Sequence, residues 1–261
     1  MNASTPLLTI DSLCFDFGQT EKTVDSLELS VKKGEIVCIL GASGCGKTTV
    51  LNLIAGLLKP KSGTINLQSE SGKKNSIGYI FQSDPLFPWR TVEGNLMLAF
   101  DLNKSLDRNK AKEMMQQYLS AFHLNQQVLS KYPAQLSGGM RQRVSIIQSL
   151  MFDPDLLLLD EPFSALDYYT KLSLEEEFCQ LVRAKNKSAI LVTHDIEEAV
   201  AMGTRAFIMS GGKLAKEFLI RLESSTTQTS SNANVSVARG SEEFAKHYRE
   251  IWSELKSIIS G

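Results

Sequence analysis

The sequence predicts an α/β fold. A mixed, mainly parallel sheet is flanked by helices, with an antiparallel β-region at the N-terminal end and a helical subdomain inserted into the core. Three observations predict it. The apolar run Glu35-Ile-Val-Cys-Ile-Leu40 reads as a buried strand, and it leads through a glycine-rich turn into the apolar, helix-like Val50-Leu-Asn-Leu-Ile-Ala-Gly-Leu-Leu58. Asp155-Leu-Leu-Leu-Leu-Asp160 and Ser188-Ala-Ile-Leu-Val-Thr193 are apolar on both faces, as strands inside a parallel sheet are. Between residues 83 and 153 the apolar spacing is helical, so a helical block separates two strands of the core.

Taken in order, Leu7 to Phe17 alternates apolar and polar residues, as does Leu27 to Val31, and both read as half-buried strands. Phe15 and Phe17 share a face if their strand is regular. Core packing is the reading for Phe15, whereas Phe17 fits either packing or stacking on a base. Gly63 to Leu67 and Ile77 to Phe81 are strands, and the polar Gln68 to Asn75 between them reads as an exposed hairpin tip. Ser83-Asp-Pro-Leu-Phe-Pro-Trp-Arg90 is a loop too apolar to be simply solvated. Helices follow at Thr91 to Phe100, Leu106 to Leu124 and from Ser137 onward, the last stopping at Asp153-Pro154. In the second of these, Met114 and Met115 fall on the core face. Leu172 to Ala184 is the crossover helix between the two apolar strands, and His194 opens another helix that ends at Gly203. Arg205 to Ser210 and Lys213 to Leu219 close the sheet around Gly211-Gly212. Residues 1–221 are therefore expected to form the main domain, 222–240 a polar linker that is mobile over Ser224 to Ser236, and 241–261 a helix. Phe244, Tyr248, Ile251, Trp252 and Leu255 supply the apolar face of that helix.

Composition narrows the function. The chain has 261 residues, 43% of them hydrophobic, and a formal net charge of −1. It has no basic excess, which argues against a nucleic-acid partner. The first ten residues lack the basic and apolar regions of a secretory signal, and no apolar run is long enough to span a bilayer. A soluble, cytosolic protein is expected, with Cys14, Cys38, Cys45 and Cys179 reduced and showing no metal-type spacing.

Gly41-Ala-Ser-Gly-Cys-Gly-Lys-Thr-Thr49 carries the chemistry. It fits the Gly-x-x-x-x-Gly-Lys-[Ser/Thr] phosphate-binding pattern in the strand–loop–helix setting that pattern needs. Glycines at 41, 44 and 46 let backbone N–H groups converge on phosphate oxygens, and the following helix aims its positive end at the same anion. Ala42, Ser43, Cys45 and Thr49 complete the loop. Lys47 adds a full charge, and the Thr48 hydroxyl is a ligand for Mg²⁺. Cys45, at a helix start, is expected to have a lowered thiol pKa. The strand Leu156 to Asp160 delivers Asp160 and Glu161 to its carboxyl end, where ligands bind in parallel α/β sheets. Asp160 suits Mg²⁺, and Glu161 suits activation of a water. His194 and Gln82 also end strands. His194 can bond a phosphate, and Gln82 can offer its neutral oxygen to Mg²⁺ or water. At Leu136-Ser-Gly-Gly-Met-Arg-Gln-Arg143, Ser137 caps a helix whose glycines expose backbone donors. This is either a second anion site, which suggests a dimer in which it covers nucleotide bound by the partner, or an ordinary capped helix with Arg141 and Arg143 in solvent.

Over residues 7–221 the chain resembles the ATP-binding cassette ATPases. The loop at 41–49, Gln82, Leu136-Ser-Gly-Gly-Met140, Asp160-Glu161, Ser164-Ala-Leu-Asp167 and His194 occur in that family's order. The resemblance implies a P-loop NTPase core, ATP and Mg²⁺ as cofactors, and a head-to-tail homodimer holding two ATP molecules. Lys47, Ser137 and Gly139 would contact phosphate, with Gly138 beside them and the signature residues acting across the dimer. Glu161 would be the general base, His194 the γ-phosphate sensor, Asp167 a link between sites, and Phe17 the adenine-stacking aromatic.

Phe87-Pro-Trp-Arg-Thr-Val-Glu-Gly-Asn-Leu96 is similar to the corresponding stretch of importer ATPases for nitrate, sulfonate, taurine and related solutes. That likeness implies a transmembrane permease contacting about Gln82–Asn95, an extracytoplasmic solute-binding protein, and a peripheral position on the inner face of the cell membrane. An exporter or lipid-transport ATPase remains the alternative reading, and a non-transport cassette ATPase a more distant one. Two departures stand out: Ile147-Gln-Ser149 after the signature, and the bulky Tyr168-Tyr169 after Asp167.

Overall fold

The computed structural model describes residues 5–18, 22–68, 77–83, 85–102, 107–222 and 235–260. In chain order the elements are β1 (Leu8–Phe15), β2 (Val24–Val31), β3 (Ile36–Leu40), α1 (Lys47–Ile54), β4 (Ser62–Leu67), β5 (Ile77–Ile80), α2 (Val92–Leu96), α3 (Leu98–Leu102), α4 (Arg108–Ala121) and α5 (Gly138–Leu150). They continue with β6 (Leu156–Asp160), α6 (Tyr168–Ala184), β7 (Ser188–Thr193), α7 (Ile196–Met202), β8 (Arg205–Ser210), β9 (Lys213–Leu219), α8 (Val235–Ala238) and α9 (Glu242–Ser260).

Two sheets form. β2, β1 and β4 make an antiparallel sheet, and the main sheet runs β5-β6-β7-β3-β8-β9, parallel except for β9. This is the mixed, mainly parallel sheet with an antiparallel region that the sequence predicts. In β1 the buried parity changes along the strand: Leu8 and Ile10 are buried, then Leu13 and Phe15. The change falls at Ser12, whose φ is 48°, where the pairing with β2 slips. The expected hairpin across Gln68–Asn75 does not form. β4 pairs with β1, while β5 joins the edge of the main sheet beside β6, so the two strands lie in different sheets. Residues 69–76 lie outside the described residues.

Both faces of the main sheet are covered, which is why β3, β6 and β7 are buried at every position. Val37, Ile39, Leu156, Leu158, Ile190 and Val192 face α1 and the small sheet. Cys38, Leu40, Leu157, Leu159, Ala189 and Leu191 face the core built from the other helices. Cys38 and Cys179 are fully buried in that second core, as small apolar fillers should be.

The block between β5 and β6 is helical, as expected. Thr91 caps its first helix, and the single helix expected over 91–100 has a one-residue break at Met97. Met97 N–H bonds back to Glu93 while its carbonyl accepts from Phe100 and Asp101, so the turn tightens without the chain leaving the helical path. The departure Ile147-Gln148-Ser149 is structural. The Gln148 amide donates to the carbonyl of Asn95 (3.2 Å), and the Ser149 hydroxyl donates to that of Tyr79 (2.8 Å), tying α5 to α2 and β5. α6 begins earlier than expected because Asp167 caps it, accepting from Thr170 N–H. α7 likewise starts at Ile196, behind the Asp195 cap, and not at His194. Within the expected polar linker, Val235–Ala238 is helical and Val235 is buried, whereas 223–234 lie outside the described residues. On α9, Phe244 and Ile251 are buried, but Trp252, expected on that face, is 53% exposed. It follows Ile251 directly and so points about 100° away round the helix.

Asn95 anchors the apolar loop. Its side chain is fully buried, accepts from Phe87 N–H (2.7 Å), and donates to the carbonyls of Phe87, Arg90 and Thr91. Held this way, the loop turns Trp89 outward, 71% exposed. Asn95→Ala removes these bonds and strands buried backbone groups. A loss of about 1–3 kcal/mol in urea unfolding is expected, with faster proteolysis within 86–91. An unchanged midpoint would show that the loop does not depend on Asn95.

Candidate functional site

The register of the main sheet assembles the site. Leu40 pairs with Thr193 and Asp160 with Val192, so the residues that follow β3, β6 and β7 emerge together at one edge. There a pocket of about 430 Å³ is lined by Phe17, Thr23, Ser43, Gly44, Gly46, Lys47, Thr48, Thr49, Gln82, Asp160 and Glu161.

The loop from 41 to 46 wraps tightly because its glycines permit it. Gly44 and Gly46 have φ of 81° and 107°. A Cβ on Gly41 would lie 2.5 Å from the Met209 carbonyl, and one on Gly46 would lie 2.6 Å from that of Thr23. Lys47 is buried, unusual for a lysine. Its ammonium donates to the carbonyls of Gly41 (2.8 Å) and Ala42 (2.9 Å), which hold the charge at the loop.

Asp160 sits at the pocket floor and accepts from the Thr48 hydroxyl at 3.0 Å. Burial pushes its carboxyl above the ordinary range, and the Thr48 bond opposes that rise. Glu161 turns out of β6 at φ 45°, with its N–H bonded to the Val192 carbonyl. A non-glycine residue in this region costs about 1–2 kcal/mol. Glu161 Oε2 lies 3.0 Å from His194 Nδ1. Phe17 is 62% exposed at the pocket mouth, braced edge-on by the buried Phe15 at 4.8 Å between ring centres. Oxygen donors suited to Mg²⁺ are gathered here: the Thr48 hydroxyl, the Asp160 carboxylate and the Gln82 amide.

Some expected residues are placed elsewhere. Gly41 and Ala42 shape the loop from behind, and His194 reaches the site through Glu161. Ser137, Gly138 and Gly139 do not line this pocket. Ser137 caps α5, accepting from Met140 N–H, and Gly139 packs where a Cβ would meet Thr170 at 2.6 Å. Arg141 and Arg143, which the alternative of an ordinary capped helix left in solvent, both have partners: Arg143 is paired with Glu177 at 2.9 Å and Arg141 donates to the Leu136 carbonyl. Cys45 departs from expectation. Burial raises its pKa, outweighing Lys47, and its sulfur packs behind the loop, 2.8 Å from where a Gly41 Cβ would be. Thr23 is a pocket residue that no sequence signal marks, since only the fold brings the start of β2 to the loop.

Comparison with known proteins gives relatives of one family. The family model described as "ABC transporter" matches residues 24–164. The chain is 40% identical to the "Uncharacterized ABC transporter ATP-binding protein YtlC" of Bacillus subtilis (strain 168), across 93% of this chain and 92% of that protein. It is 38% identical to the aliphatic sulfonates import ATP-binding protein SsuB of the same organism, across 88% and 89%. It spans about half (53%) of the length of that organism's glycine betaine/carnitine/choline transport ATP-binding protein OpuCA, at 38% identity over 75% of its own. Among solved structures, the dimeric post-hydrolysis ATP-binding cassette MJ0796 bound to ADP and Pi superposes with a TM-score of 0.71. The identity is 28%, and the match covers 82% of this chain and 99% of that one.

Thiol reactivity tests the placement of Cys45. The Cys14 thiol is lowered by the bond from Ser26 N–H (3.2 Å), whereas burial raises that of Cys45. Iodoacetamide at neutral pH should label Cys14 about tenfold or more faster than Cys45, with Cys38 and Cys179 labelled only after unfolding. Peptide mass spectrometry reads the order, and rapid labelling of Cys45 would place its thiol in the pocket.

Proposed function

The chain belongs to the ABC transporter family as an ATP-hydrolysing, ATP-binding subunit, and we propose that it powers import of a small solute of the nitrate, sulfonate or taurine type. The observation that carries the reading is the convergence of Lys47, Thr48, Asp160 and the Glu161–His194 pair on one sheet edge. The importer assignment is supported by the length match to a sulfonate import protein and by the braced, outward-facing Trp89 loop. An exporter or lipid-transport role is the second reading, since that loop favours import without requiring it.

In this mechanism the glycine loop and α1 bind the phosphates through backbone N–H groups and the helix dipole. Lys47 exchanges its two loop carbonyls for phosphate oxygens. Phe17 stacks on adenine. Thr48, Asp160 and Gln82 would hold Mg²⁺, which supplies charge neutralisation for the phosphates when bound. Glu161 orients the attacking water and takes its proton, and His194 bonds the γ-phosphate while holding Glu161 in place. Ser137, Gly138 and Gly139 lie outside the pocket of their own chain, which accords with their covering the nucleotide of a second copy. The homodimer would close on ATP and reopen after hydrolysis, with the movement passing through Gln82–Asn95 to transmembrane permease subunits. An extracytoplasmic solute-binding protein would complete the system. Among the described residues no helix is long and apolar enough to cross a membrane. The membrane-spanning part would therefore come from the permease, with this subunit peripheral on its cytoplasmic side.

Glu161→Gln tests the chemistry. It should lower kcat by on the order of 10²–10⁴, retain ATP binding, and accumulate a nucleotide-bound dimer in light scattering. Hydrolysis close to wild type would remove Glu161 from the role of base. A mixture of Ser137→Ala and Lys47→Ala subunits tests the shared site, because one heterodimer pocket in two is then intact. Recovery of part of the lost activity is expected, and complete absence of recovery would confine Ser137 to its own chain.

A further inference from the structure

The C-terminal segment inserts a cation into a buried cluster that adjoins the His194 turn. α8 packs on α6 and α7, and Arg239 follows it directly. The Arg239 guanidinium lies 2.5 Å from Glu175 Oε2, with Glu175 fully buried on α6. On the same helix Lys171 faces three carboxylates: Asp195 at 2.6 Å, Glu198 at 2.5 Å and Glu175 at 4.0 Å. Asp195 is the residue after His194. Its other oxygen caps α7 through the N–H groups of Glu197 and Glu198, and its own N–H bonds to Thr193 Oγ1. An unbroken line of charge contacts thus runs from Arg239 through Glu175 and Lys171 to the residue beside His194.

The distances describe a shared cation. Lys171 holds Asp195 and Glu198 closely and stands off from Glu175, which Arg239 occupies. Glu175 Oε1 has no hydrogen-bond partner among the described residues. A buried carboxylate deprived of its cation is costly, and the nearest replacement is Lys171, whose approach to Glu175 would draw it away from its short contacts with Asp195 and Glu198. We propose that Arg239 is a positioning residue for hydrolysis: by occupying Glu175 it reserves Lys171 for Asp195, and so the docked C-terminal segment holds the turn that presents His194. The proposal rests on the reading of His194 as the residue that meets the γ-phosphate.

The experiment uses the full chain and separates turnover from binding. Assayed at alkaline pH, where Glu175 is ionised, Arg239→Ala should lower kcat for ATP on the order of tenfold, while nucleotide affinity, read by equilibrium binding, stays within about twofold of wild type. Adding Glu175→Gln removes the competitor for Lys171 and should restore turnover, whereas Lys171→Met should lower it whether or not Glu175 is changed. Glu175→Gln alone removes the charge that would compete for Lys171 and should turn over as wild type. That variant keeps the test decisive if Arg239→Ala folds poorly. Wild-type turnover in Arg239→Ala at that pH would overturn the proposal, because ionised Glu175 would then have left Lys171 in place. A loss that Glu175→Gln does not rescue, or a loss in Glu175→Gln alone, would also overturn it and leave Arg239 a packing role only. His194→Ala retaining full turnover would instead remove the underlying reading of His194, independently of the Arg239 variants.

Discussion

The site depends on the pairing of β7 with both β3 and β6. Because Leu40 lies opposite Thr193 and Asp160 opposite Val192, a glycine loop, a carboxylate pair and a histidine from distant parts of the sequence leave the sheet at one level. A slip of one residue would turn every side chain on the slipped strand to the other face. Both faces are packed with apolar side chains, so such a slip cannot be absorbed locally. The two cores are thus what hold the catalytic groups within reach of one another. Their rigidity is of the close-packed kind, in which small displacements meet resistance at once.

Charge is placed against this apolar background in two clusters on either side of the β7 end. In the pocket, Lys47 and Asp160 are buried but point at each other's surroundings through Thr48 and the loop carbonyls, so each has partners before any ligand arrives. Behind the sheet edge, Lys171 and Arg239 share three carboxylates between α6, α7 and the C-terminal segment. Burial holds Glu175 up at about 7 in spite of Arg239, which marks this second cluster as the less completely compensated of the two. Buried charges of this sort are a weak source of stability but a strong constraint on geometry, since each tolerates few alternative partners.

Much of this was legible in the residues. The doubly apolar strands, the glycine loop, and the carboxylates and histidine at strand ends state their own positions, because local pattern and global fold agree there. The misses have a common cause: they depend on contacts between distant segments. The polar stretch after Leu67 looks like a hairpin tip because sequence adjacency suggests pairing, yet β4 and β5 go to different sheets. Cys45 looks activated at a helix start, but the loop folds its sulfur inward, where desolvation wins. Thr23 enters the pocket only through the approach of its carbonyl to Gly46 and Gly212. The reversal of parity at Ser12 overturns the unbroken alternation read across Leu7 to Phe17, since Leu8 and Ile10 are buried and then Leu13 and Phe15. A bulge can be read from such a change of phase, though not from residue type alone.

The pairing of Glu161 with His194 sets a proton inventory that the proposed chemistry must satisfy. A neutral imidazole carries one N–H. If Nδ1 gives that proton to Glu161 Oε2, across the 3.0 Å observed, then Nε2 presents a lone pair, which repels a phosphate oxygen. For His194 to donate to a γ-phosphate while still holding Glu161, the ring must carry two protons. Otherwise it must change tautomer and let Glu161 go. In the first case Glu161 stays held beside the ring. In the second, Glu161 loses its partner and is free to turn into the pocket. His194 is exposed, so its outer nitrogen is open to a ligand in either case. The two carboxylates of the site therefore differ in kind. Asp160 accepts from Thr48 on the pocket floor, whereas Glu161 is held by His194, whose ring donates or accepts according to its tautomer.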